Sequence, residues 1–340
     1  MTTPRLFRRT LLLLLSMTVA WAGTALAQSQ RERVLWSKPD AEPYLNVVFS
    51  HDGATLALGR EGSNECDLLN AADGSVIRVL DATHNRINDA IFTFDDQDLI
   101  VGSGSPGDTL TLDLWHVADG VRLLRLPAHT NGTHSVDLTS DGNVLLTSGT
   151  ESRELRKWSV PDLHLLATFT NNDPDTGLPP EVLDSEFSPD DQLIGDCDIF
   201  GVKIRNAADG SLIRKIANFP IVSIAFSADG RFIAGASPDE RAVKIWQVAD
   251  GALVKTLEVS TDFEFPRVAY TPNGKLIVAI YGASDSAGAI QFWRTRDGAP
   301  VGILSKPNLV HDIAFSPQPG VFAYTQYGGV VTVSFAPFIR

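Results

Sequence analysis

The stretches 202-VKIRNAADGSLIRKI-216 and 243-VKIWQVADGALVKTL-257 are identical at seven of 15 positions without a gap. Self-similarity at this spacing is the mark of a repeat architecture, in which each copy is one supersecondary unit. Val243 and Ile245 alternate with other residues, as do Leu110, Leu112 and Leu114 in 109-TLTLDLW-115. A period of two makes a strand with one buried face, and an Asp-Gly pair joins two such strands by a tight turn. The same corner returns as Asp73-Gly74, Asp119-Gly120 and Asp297-Gly298, and in weakened form as Asp162-Leu163. Four residues before the corner Asp stands Trp115, Trp158, Trp246 or Trp293; Leu69 and Arg205 hold that slot in two other copies.

A second phrase interleaves with the first: an apolar strand ending in Phe-Ser or a relative, one more residue, then Asp-Gly or a relative. It begins at Phe49, Phe92, Leu138, Phe187, Phe226, Tyr270 and Phe315, so there are seven copies. Each unit therefore reads as four short strands. One such sheet cannot bury both faces, but seven stacked radially can, and only short edges remain. The seventh unit has room for three strands before the sequence runs out near Phe335. Residues 33–37, Arg-Val-Leu-Trp-Ser, look like a fourth strand with no unit before them. The expected fold is all-β: a seven-bladed β-propeller of four-stranded antiparallel blades over 28–340, closed by its N-terminal strand.

Carried by the F-S-x-D-G phrase, the Trp of the third strand and the period, the chain resembles the WD-repeat family of β-propellers, in a divergent bacterial form. The resemblance covers essentially the whole chain after residue 27. The Gly-His that the family places before the inner strand is mostly missing, with His84 and His129 the nearest candidates. The Asp that usually follows the Trp is replaced by His116, Ser159, Gln247 or Arg294. The family's buried His–Ser/Thr–Asp–Trp network is accordingly expected in no blade. The resemblance implies a fold; function must come from a site, because propellers host many unrelated tasks.

Residues 1–27 read as a secretory signal peptide. Arg5, Arg8 and Arg9 form a basic start, Leu11 to Gly23 an apolar run too short to span a bilayer, and Ala25-Leu26-Ala27 a cleavage site. The expected product starts at Gln28, exported by the Sec route rather than the twin-arginine route, and is periplasmic or secreted, with no membrane insertion. Loss of the three arginines takes the formal net charge from −13 to −16. Such a body repels phosphate backbones, so nucleic acid is not an expected partner. Cys66 and Cys197 fall in blades 1 and 4, across the ring, and are expected to be buried thiols too far apart to bridge.

Gly102, Gly104 and Gly107 spell G-x-G-x-x-G. A dinucleotide loop needs a helix after the glycines. Here an alternating strand follows, so the glycines read as a turn between second and third strands. The seven histidines read as surface turn residues, and no catalytic triad can be picked out. The segment 171-NNDPDTGLPPE-181 is the longest connection between blades. Its Asp173, Asp175 and Glu181 approach a calcium loop, but the Gly comes one place late and the acid one place early. A polar surface loop is the first reading and a bound calcium ion the second. Phe263, Glu264 and Phe265 in another connection, and Asp285 in the turn 282–288, share one face with it, as fourth-to-first and second-to-third connections must. That face is the expected surface for an envelope protein or peptide, bound by a monomeric, non-catalytic scaffold without cofactor. The alternative is a propeller enzyme, lactonase- or hydrolase-like, with a site at the central channel.

Overall fold

In a computed structural model the chain is described for residues 32–339, apart from 41, 82–85, 105–108, 131–132, 150–151, 260–263 and 283–286. It forms seven four-stranded antiparallel sheets. In six of them four consecutive strands pair in sequence order, from the blade that begins with Tyr44–Phe49 to the blade that ends with Pro300–Lys306. The seventh holds Val310–Phe315, Val321–Gln326 and Val330–Phe335, with Arg33–Pro39 as its outer strand. Arg33 faces Phe335 and Pro39 faces Val330 across that ladder. The expected closure is thus the observed one.

The core is not a single ball. Among the described residues it divides into seven apolar clusters, and each lies between two successive blades. Leu68 and Leu80 of blade 1 meet Ile87 and Phe92 of blade 2, for example. The last such layer joins Val331 and Val333 of blade 7 to Leu56 and Leu69 of blade 1, with Trp36 packed against it. The four Trp residues of the third strands are all buried.

Turn chemistry explains the recurring phrases. In Phe49-Ser50-His51-Asp52-Gly53 the Ser50 hydroxyl donates to Asp52 Oδ1 (2.7 Å) and accepts from the Thr55 N–H (2.9 Å). The same hydroxyl-to-carboxylate bond recurs at Thr93–Asp95, Thr139–Asp141, Ser188–Asp190 and Ser227–Asp229. Gly53 lies at φ +72°, where other residues are disfavoured. Two copies put Asp96 and Asp191 at the corresponding place, at φ 57° and 59°. Each repays the strain by reaching the preceding blade. Asp96 accepts from the N–H of His51 and Asp52 (2.7 and 2.9 Å), and Asp191 accepts from the N–H and hydroxyl of Ser140 (2.9 and 2.6 Å).

The glycines of the other corner have a packing reason as well. A Cβ on Gly74 would stand 2.7 Å from the Trp36 ring. The face with these turns is called the corner face below; the opposite face, which carries the links between blades, is the connection face.

One expectation fails. His129 is 3 % exposed rather than a surface residue. It ends the outer strand of blade 2, and its Nε2 lies 2.8 Å from Thr147 Oγ1. Trp158 Nε1 donates to the same hydroxyl at 2.9 Å, and His129 Nδ1 meets Ser152 Oγ at 2.8 Å. Blade 3 therefore keeps the histidine, hydroxyl and tryptophan of the family network, with Ser152 where the family has Asp. Burial, then the Arg156 charge, pushes His129 down to about 3, so it is neutral. The other two expectations about reactive groups agree with the structure. Cys66 and Cys197 are buried free thiols. The strand Asp98–Ser103 enters the glycine segment and the next described element is the strand Thr109–His116; residues 105–108, Gly107 among them, lie outside the described residues.

Candidate functional site

The inner strands of successive blades pack on one another around the axis. Three residues before each Phe-Ser phrase, every copy carries a polar residue: Asn46, Asp89, Ser135, Asp184, Ser223, Arg267 and Asp312. In five of the inner strands a register shift falls just before this position, a bulge that re-aims the side chain.

These seven residues link the blades into a closed ring of six hydrogen-bonded contacts and one ion pair. Asn46 Nδ2 approaches Asp89 Oδ1 at 3.5 Å. Asp89 accepts from Val136 N–H at 3.0 Å, and Ser135 Oγ accepts from Ser185 N–H at 3.1 Å. Asp184 accepts from Ile224 N–H at 3.0 Å, and Ser223 Oγ from Val268 N–H at 3.3 Å. Arg267 lies 3.7 Å from Asp312, and Asp312 accepts from Val47 N–H at 2.9 Å. Five of the links satisfy a backbone donor that the neighbouring blade would otherwise bury unpaired, and the other two join side chain to side chain. The pattern is present in the sequence, seven polar residues in apolar strands, but its meaning requires the ring.

The electrostatics follow from that placement. Burial pushes Asp89 up to about 6 and also raises Asp184 and Asp312. Asp312 first, then Asp89 and Asp184, raise Arg267, which remains charged. Two residues further along the inner strands, Asp137 and Glu186 stand on adjacent blades. Asp137 accepts from Phe187 N–H at 2.7 Å and Glu186 from Phe226 N–H at 3.3 Å. Burial pushes Asp137 up to about 7, and burial with the charges of Asp137 and Asp184 raises Glu186 further. One carboxyl of this pair keeps its proton near neutral pH, because two like charges cannot both be stabilised there.

A pH dependence is expected from the pair. A carboxyl that is raised in the folded state binds protons more tightly there than in the unfolded chain. Its contribution is complete below the unfolded value near 3.8 and is lost as pH rises through about 7. The double variant Asp137→Asn, Glu186→Gln keeps both acceptors and removes both titrations. The margin by which its melting temperature exceeds the parent's is expected to grow by at least about 2–4 °C from pH 5 to pH 8. Thermal unfolding followed by circular dichroism at the two pH values checks this; parallel curves would refute it.

The connection face holds the residues that the sequence singled out. Asp173 and Asp175 lie in the link between the outer strand of blade 3, Leu165–Thr170, and the inner strand of blade 4, Asp184–Phe187. Both carboxylates meet the Lys215 ammonium at 2.7 Å. Asp173 also accepts from the N–H groups of Asp175 and Thr176 and from the Thr176 hydroxyl. Burial would raise Asp173, but Lys215 and Thr176 outweigh it and hold the carboxyl at about 2. Lys215, on the outer strand of blade 4, thus stands between these two acids. Glu181 is exposed and stands apart from that cluster. Among the described residues no three ligating side chains converge as a metal site requires. Phe263 and Asp285 lie outside the described residues. Glu264 and Phe265 open the inner strand Glu264–Tyr270, and their side chains are likewise outside them.

Sequence reasoning missed the apolar part of this face. Leu178 is 61 % exposed between Asp175 and Glu181, and Ile199 is 53 % exposed in the neighbouring turn of blade 4. Tyr327 is exposed on the matching turn of blade 7, its ring 6.1 Å from that of His311. A leucine inside a polar, proline-rich loop was the available signal.

Beneath the loop lies a network of buried charges. Asn171, Asp196, Asp198, Lys203 and Arg205 are all buried. Lys203 pairs with Asp198 and donates to Asn171 Oδ1 at 3.0 Å. Arg205, in the Trp slot, donates to Asp196 at 2.5 Å and to Asn171 at 2.8 Å. Asn171 Nδ2 donates to Asp198 at 3.0 Å and to the Pro180 carbonyl at 3.3 Å. The amide thus anchors both ends of the loop that presents Leu178.

Fold and blade chemistry define a seven-bladed β-propeller. Residues 210–247 match the family described as "WD domain, G-beta repeat". That span runs from the outer strand of blade 4 to the third strand of blade 5. The chain is also similar to Minichromosome loss protein 1 of Schizosaccharomyces pombe, 27 % identical over 223 residues, which is 63 % of this chain and 26 % of the relative. The chain thus spans about a quarter of the relative it matches. Both likenesses support the WD-repeat propeller family.

Proposed function

We propose that this propeller is a non-catalytic interaction scaffold that binds a protein or peptide through its connection face. The observation that carries the reading is the use made of the channel acids. Asp89, Asp137, Asp184, Glu186 and Asp312 each accept a backbone N–H from the next blade. They hold the ring, and a rigid ring offers a preformed surface at little entropic cost. On that surface the link into blade 4 exposes Leu178 between Asp175 and Glu181 in the chain, and the turn of blade 4 exposes Ile199, apolar groups with acidic residues near them in sequence. Glu264 and Phe265 open the inner strand Glu264–Tyr270 from the same face.

The setting proposed is the bacterial envelope, periplasmic or secreted, with the chain acting as a monomer on an envelope protein; this rests on the leader at residues 1–27. The yeast relative does not speak to that setting. Nothing of what its name says about minichromosome loss is carried over, since the likeness covers about a quarter of that protein.

The test is affinity capture from an envelope extract with protein that begins at Gln28. The double variant Leu178→Ser, Ile199→Ser is expected to retain the captured partner at least about tenfold less well, as loss of a central anchor usually does. Equal capture by parent and variant would refute the site. A second reading is kept alive by one observation: Asp137 and Glu186 form a carboxyl pair with raised proton affinities, the arrangement that acid–base enzymes use. It would be favoured if turnover of a lactone or ester panel were found and were lost in Asp137→Asn.

A further inference from the structure

The corner face is not uniform around the ring. In blades 1, 4 and 5 the fifth residue after the corner Asp is Arg78, Arg214 or Lys255, and in blades 2 and 3 it is Leu124 and Ala167. These side chains run beneath the corner glycine of the next blade: Arg78 under Gly120, Arg214 under Gly251, Lys255 under Gly298. Blade 6 has Gly302 at this position. The blade that follows has no such corner, because its outer strand, Arg33–Pro39, comes from the other end of the chain.

A short 3-10 turn, Pro337–Ile339, stands in the gap. Phe338 meets Phe292 edge-on at 5.0 Å, and Asn273 Nδ2 donates to the Ile339 carbonyl at 3.0 Å. The gap is filled only in part. A cavity of about 780 Å3 remains, walled by Leu276, Pro300, Val301 and Phe338. Lys275, Arg294 and Arg296 also line it. Arg294 and Arg296 share a single carboxylate, Asp297, at 3.2 and 3.4 Å, which leaves this wall with surplus positive charge in a chain of net −13. On the same wall the Thr295 hydroxyl is buried without a hydrogen-bond partner.

Apolar walls of this volume take a bulky apolar group, and guanidinium groups beside them take carboxylates. We propose that this cavity is a second docking site, independent of the connection face, for an acidic peptide segment that inserts one apolar side chain and sets its flanking carboxylates against Arg294 and Arg296. The chain's own residues 28–31, Gln-Ser-Gln-Arg, have the wrong charge for this rim.

The test uses an array of ten-residue peptides, each with one Leu, Val or Phe flanked by Asp or Glu, beside a set flanked by Lys. Parent protein is expected on the acidic set and not on the lysine set. Arg296→Glu reverses an exposed charge, and Gly302→Arg installs the side chain that blades 1 and 4 carry. Both are expected to lower retention at least tenfold while melting within a few degrees of the parent. Three outcomes would overturn the proposal: no preference for the acidic set, retention unchanged in both variants, or binding of free decanoate with no retention on any peptide.

Discussion

A chain that begins at residue 40, without Arg33–Pro39, is expected to lose cooperative folding. The strand makes a ladder from Arg33↔Phe335 to Pro39↔Val330, interrupted by one shift between Val34 and Trp36. Its removal exposes the third strand of blade 7 as an unprotected edge. It also removes the Trp36 ring from beneath Gly74, and the bond from Trp36 Nε1 to the Ala71 carbonyl at 2.8 Å. Half a dozen ladder bonds at about 1 kcal/mol each, with a tryptophan worth about 2–3 kcal/mol, approach the whole net stability of a typical domain. The effect is not confined to blade 7. Trp36 packs against the layer that joins Val331 and Val333 to Leu56 and Leu69, so its loss also loosens the seam between blades 7 and 1. Thermal unfolding by far-ultraviolet circular dichroism is expected to show a broad transition at least about 15 °C below the parent. A separately supplied peptide of residues 32–40 should restore part of it. A sharp transition within about 3 °C of the parent would show that the clasp is dispensable.

The second large effect is expected from Lys203→Met. Lys203 has no solvent exposure, and neither do Asp196 and Asp198. Removing the ammonium leaves Asp198 buried with only the Asn171 amide and the local Phe200 N–H to stabilise its charge. Breaking one side of a buried pair costs about 3–5 kcal/mol. In a chain of this size that corresponds to about 6–15 °C in melting temperature. Adding Asp198→Asn removes the stranded charge and should recover a substantial part of the loss, the signature of a coupled pair. Because Asn171 also holds the Pro180 carbonyl, Lys203→Met should weaken partner capture through Leu178 even where the protein stays folded. A single variant that melts within about 2 °C of the parent would show that the network is not coupled.

The contrast between these two effects separates what is local from what is not. The clasp was legible because it depends on counting: a spare strand at residues 33–37 and a seventh unit one strand short. The turns were legible because Ser50, Asp52 and Gly53 act within five residues of one another, and period-two alternation is a property of single strands. The same locality allowed Gly102, Gly104 and Gly107 to be read as a turn rather than a phosphate loop.

Blade chemistry was less legible. The expectation that no blade would keep the family's polar network failed at His129, because Thr147, Ser152 and Trp158 reach it from two other strands. The sequence shows Arg205 only as the holder of a Trp slot, and nothing in it singles out Lys203. That they are buried with Asp196, Asp198 and Asn171 depends on a loop folding back over blade 4.

The amino-acid sequence by itself determined the architecture, since tight turns and strand alternation are set by residues close in the chain. The tertiary structure alone decided which side chains meet. Asp89 finds Val136, Asp312 finds Val47, and Phe338 stands where a corner is missing, because a ring brings together groups separated by one blade or by the whole chain. Hydrogen bonds and charge pairs act over a few ångströms of space, so no spacing rule along the chain encodes them.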